Sequence, residues 1–67
     1  MKQQLKDALI LKYQGEIAVA NANIEVYLRG PVGIGEHPDI IAAIDSQVEK
    51  AAHAQEKLEY VDQLEEY

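Results

Sequence analysis

The chain has 67 residues, no cysteine, tryptophan or phenylalanine, and twelve acids against six bases, a net charge of −6. A chain this short makes one domain, residues 1–67, which buries only about 60% of its unfolded surface, and without disulfides self-association is the leading support for so small a core. The acidic balance argues against nucleic acid or an anionic membrane as partner, and no apolar run approaches the ~20 residues that span a bilayer.

The first element is a helix over about residues 3–29. Ile10, Tyr13, Ile17, Ala20, Ile24 and Tyr27 recur at spacings of three and four, a heptad seam. A second row, Ala8, Leu11, Gly15, Val19, Ala22 and Val26, lies nearly opposite at 100° per residue, and its members are mostly small. A two-helix hairpin covers only one row, so the other calls for a helix from another chain. The candidate oligomer interface therefore draws on both rows: Ile10, Tyr13, Ile17, Val19, Ala22, Ile24, Val26 and Tyr27. Gly15 weakens this helix by ~1 kcal/mol. Tyr13 and Tyr27 are read as packing residues rather than as a ligand-stacking pair.

Residues 30–37 form a connecting loop, since both prolines and three of the four glycines fall between Gly30 and Pro38. Gly30 suits a left-handed position just past a helix end, where Pro31 blocks continuation. Pro38 and Asp39 suit the first turn of the next helix, which makes His37 its N-cap. The loop is also the candidate ligand site. Arg29, the backbone at Gly33 and Gly35, and His37 offer donors to a phosphate or carboxylate beside a helix N-terminus. Glu36 and Asp39 oppose an anion there, and the glycine spacing is neither a Walker nor a dinucleotide pattern. A plain helix–helix connection is the preferred reading.

The second helix is expected over about residues 38–66. Ile44, Ala51 and Leu58 stand one heptad apart, flanked by Ile40, Ile41, Val48, Ala54 and Val61, with Gln47 and Gln55 interrupting the stripe. Two segments of about 40 Å joined by a short loop fold back as an antiparallel hairpin. Charge agrees with this: residues 1–29 carry +1 and residues 38–67 carry −6. Folding sets Lys6 beside Asp62 and Lys2 beside Glu65, pairs that fix register more than stability.

Chemistry-bearing constellations are sparse. Glu49, His53 and Glu56 share a helix face, but are read as solvated acids around a surface histidine rather than as metal ligands. Ser46, His53, Tyr60 and Tyr67 are heptad-spaced. Two turns separate Ser46 from His53, about 10 Å, too far for catalysis, although the row suits a protein contact. No catalytic residue, metal or cofactor is expected, and the chain is not read as an enzyme.

Asn23-Ile24-Glu25-Val26-Tyr27-Leu28, running into Pro31-Val32-Gly33-Ile34-Gly35-Glu36-His37-Pro38-Asp39-Ile40, resembles small proteins of T4-like tailed phages, especially those of marine bacteria and cyanobacteria. The resemblance extends from about Glu16 to Leu58. It implies a phage setting and a helical hairpin, and supplies no activity or functional residue. The expectation is thus an all-α antiparallel two-helix hairpin that self-associates, most simply as a dimeric four-helix bundle. It acts by binding itself and a host or phage protein, in the host cytoplasm or the virion, with no secretion signal. Alternatives are an oligomeric binder of small anions or nucleotides through the Arg29–Asp39 loop, and a structural part of the virion.

Overall fold

The computed structural model of the chain describes residues 2–30 and 39–64. Among them the chain forms α1, Gln3–Arg29, and α2, Ile40–Gln63, and no strand. α1 has the limits expected from its seam. It starts on the Lys2 carbonyl, which accepts from the Leu5 and Lys6 amides at 3.1 Å each. It stops at Gly30, whose φ of 155° and ψ of 154° lie in a region open essentially to glycine alone. This is not the left-handed helical geometry expected there, but it places the same demand for a residue without a Cβ.

α2 starts later than expected. The cap is Asp39, whose carboxylate accepts the Ala42 amide at 2.9 Å, and Pro38 lies outside the described residues. The reason is chemical. An aspartate side chain satisfies an orphan amide at the first turn, whereas histidine is an indifferent cap. At the other end the helix finishes at Gln63 rather than near 66, where the Leu64 amide turns back to the Val61 carbonyl at 3.0 Å.

The helices run antiparallel, and three contacts give the register. Lys6 Nζ donates to the Leu64 carbonyl at 3.1 Å, Asn23 Nδ2 donates to Gln47 Oε1 at 3.1 Å, and the Lys57 ammonium sits 5.8 Å from the centre of the Tyr13 ring. The first contact revises an expectation: Lys6 meets the carbonyl end of α2, where its charge offsets the negative pole of the helix, instead of the Asp62 carboxylate. The partnership expected between Lys2 and Glu65 falls outside the described residues. Ion pairs among the described residues are Lys12–Glu16 at 2.6 Å and Glu25–Arg29 at 2.7 Å, each one turn apart on α1.

The seam between the helices is thin. Ala20, Ala54, Val61 and the polar Gln47 are buried; Ile10, Tyr13, Ile17, Ile24 and Tyr27 are half-buried. The isoleucine row therefore packs against α2 of the same chain, leaving the small-residue row on the surface. The molecule is a rod of 48 × 15 × 14 Å exposing 5251 Å². A globular protein of 7.5 kDa exposes about 4,250 Å² by size scaling, so this hairpin carries about 1,000 Å² in excess. Among the described residues no helix is long and apolar enough to cross a membrane.

Candidate functional site

Along one flank of the rod, the gap between the helices opens into a groove of about 590 Å³. Its depth comes from small side chains: Gly15 and Ala20 on α1, Ala54 on α2. A Cβ placed on Gly15 meets nothing within 4 Å, so the space above it is open. Helical spacing then sets the walls. On α1, Lys12, Glu16, Val19 and Asn23 follow one another at intervals of three and four; on α2, Lys50, His53 and Lys57 do the same beside Gln47. Gln47 is only 8% exposed, and its amide oxygen is satisfied by Asn23 at 3.1 Å. Among the described residues no buried side-chain nitrogen or oxygen lacks a partner.

The groove is basic in an acidic protein. Lys12, Lys50 and Lys57 are three of the six Lys and Arg residues, and Glu16 is the one acid on the lining among the described residues. The hydrogen bond from Lys12 holds the Glu16 carboxyl below the usual carboxylate range, and the same bond raises the Lys12 ammonium above its ordinary value. Lys12 and Lys57 both stand over the Tyr13 ring, at 5.6 and 5.8 Å, where the ring face attracts cations. Lys50 and Lys57 make no ion pair among the described residues.

Next to the groove lies an apolar surface. Leu5, Leu11, Val19 and Val26 are exposed along α1, at 60, 68, 62 and 56%, and Leu5, Ala8 and Leu9 line a shallow depression with Lys12. Val19 belongs both to this row and to the groove wall. Of the interface residues named from sequence, Val19, Ala22 and Val26 are exposed, while Ile10, Tyr13, Ile17, Ile24 and Tyr27 face the chain's own second helix.

The other sequence candidates are dispersed. Arg29 is exposed, its guanidinium donating to Glu25 at 2.7 Å; Gly33, Gly35 and His37 lie outside the described residues. Glu49, His53 and Glu56 are all exposed, and among the described residues no group of three or more His, Asp or Glu gathers to hold a metal ion. Ser46, His53 and Tyr60 are exposed as well, with Tyr67 outside the described residues. The basic groove itself went unremarked in the sequence, although its signal is there: the only two lysines of α2 stand seven residues apart, on one side of the helix. No protein-family model, curated protein sequence or solved structure matches the chain.

Proposed function

We propose that the chain acts by binding rather than by catalysis, as a homo-oligomeric helical interaction module, most simply a dimer whose four helices form one bundle. The observation that carries this reading is the exposed apolar row of α1, Leu5, Leu11, Val19 and Val26, on a hairpin whose other row already packs against α2. A contiguous apolar strip on a small soluble domain is a contact surface. The surface excess of about 1,000 Å² is also close to the ~800 Å² that each partner contributes to a standard interface. Covering the strip with a second copy supplies core that the monomer lacks, and the small residues Ala8, Gly15 and Ala22 let the helices approach closely.

The assembled bundle presents an acidic outer face, with Asp45, Glu49 and Glu56 exposed on α2. That face is the surface offered to a further protein. On the loop resemblance alone, the setting we propose is a tailed-phage infection, with a host or phage protein as the partner. Sedimentation velocity of the purified chain at low micromolar concentration tests the self-association. A species of twice the monomer mass or more is expected; a folded monomer at that concentration ends the proposal.

A further inference from the structure

We infer that the basic groove between α1 and α2 is a binding site for a small, compact polyanion, a di- or triphosphate-bearing molecule held by Lys50 and Lys57. Charge segregation is the first ground. The lining carries +2 from three lysines and one glutamate, so the rest of a chain of net charge −6 carries −8. Positive charge is therefore concentrated in a concave strip, while the rest of the chain is acidic on balance. Concavity with low-dielectric walls focuses such a field onto whatever enters.

Geometry is the second ground. Lys50 and Lys57 are two helical turns apart, about 10 Å along the axis, with His53 between them on the same side. Two flexible ammonium groups flank, from opposite ends, an anion held in the groove on the side of His53 turned away from Glu49 and Glu56. Across the groove the Asn23–Gln47 amide pair adds polar atoms at the floor. The volume of about 590 Å³ lies within the 300–1,000 Å³ of ordinary small-molecule sites. Size also limits the ligand from above. A long polyanion such as a nucleic acid extends beyond the groove and meets the surrounding −8, whereas a pyrophosphate or nucleotide fits inside the positive strip.

Glu16 regulates this site. Its carboxylate pairs with Lys12 at 2.6 Å on the groove wall, which offsets the third ammonium in place. Removing that charge frees Lys12 for the ligand.

The site borders the self-association surface, with which it shares Gly15 and Val19, and its test is read separately from sedimentation. Inorganic pyrophosphate is titrated into the full chain in low-salt buffer, by calorimetry and by amide chemical shifts. Saturable binding is expected, with shifts concentrated at Lys50, His53, Lys57 and Lys12. The double variant Lys50→Gln/Lys57→Gln weakens binding at least about tenfold, since each lost charged hydrogen bond counts for about that much. Glu16→Gln tightens it several-fold, and Lys2→Gln, outside the groove, leaves it unchanged. Both groove lysines are exposed, so circular dichroism and melting of the double variant should match those of the parent. No saturable heat, shifts spread evenly over all lysines, or an equal loss in Lys2→Gln overturns the inference. So does a groove already shielded in the anion-free protein, seen as slow chemical acetylation of Lys50 and Lys57 relative to Lys2.

Discussion

Replacing Val19 by glutamate separates the stability of the hairpin from that of its assembly. Val19 is 62% exposed, so within one chain the substitution removes little packing, and glutamate is the better helix former. The monomer should be as helical as before. In a dimer the effect differs. Full burial of a valine contributes about 1.5–3 kcal/mol. With about three-fifths of that surface still to be covered by a partner, each copy forfeits about 1–2 kcal/mol. A two-fold interface contains the residue twice, so the loss is about 2–4 kcal/mol, or about 30- to 1000-fold in dissociation constant. Desolvating two added carboxylates pushes it further. Sedimentation velocity across a dilution series measures the shift. Val48→Glu is the control: it adds the same charge to an exposed valine of α2 outside the groove lining, and should leave the mass unchanged. Equal masses for Val19→Glu and the parent, at concentrations where the parent is oligomeric, refute the assignment of this row as the contact.

Four further outcomes are expected. In the Val19→Glu background Gly15→Ala should raise the melting temperature by a few degrees, because a mid-helix glycine costs about 0.5–1 kcal/mol and the added methyl meets open space; a lower melting point contradicts the open groove. Asn23→Leu should destabilise the hairpin to urea by about 1–3 kcal/mol by stranding the buried Gln47 amide, Gln47→Leu by less because Asn23 is half-buried, and the double variant should recover most of the loss. Additive losses would mean the two amides are not coupled. Asp39→Ala should cost about 0.5–2 kcal/mol and fray the first turn of α2, read as lost amide protection at Ala42; unchanged protection there would remove Asp39 as the cap. Finally, the lowered Glu16 carboxyl stabilises the folded helix above the usual carboxylate range, and that contribution disappears as pH falls through its folded value. Helicity of the parent and of Glu16→Gln should therefore converge in acid, and a gap that widens there reverses the sign of this interaction.

Much of the architecture was legible because periodicity is a strong signal in a chain without strand alternation. The isoleucine row and the glycine at its end located α1 to the residue. The start of α2 was not, because Pro38 and Asp39 both carry N-terminal signals and only the geometry decides that the carboxylate of Asp39 reaches Ala42. Gln47 looked like an interruption of the stripe. It is instead one of the most buried side chains, because Asn23 stands across from it, and pairing across the seam depends on register that one helix alone does not reveal. The groove escaped for a similar reason. Lys12 and Lys57 are 45 positions apart, and their common approach to Tyr13 exists only once the hairpin closes. The charge argument found the correct ends but the wrong acceptor for Lys6, since a backbone carbonyl at a helix terminus leaves no mark in a residue count.

A seam whose buried side chains, among the described residues, are two alanines, a valine and a glutamine has a consequence for the life of the polypeptide inside a cell. If neighbouring copies provide the missing cover, resistance to proteases becomes a matter of dosage. Early in expression, when copies are few, each one opens often and is cleared quickly. Past a threshold the same sequence accumulates, so its turnover would rise and fall with its own abundance, with no dedicated regulator.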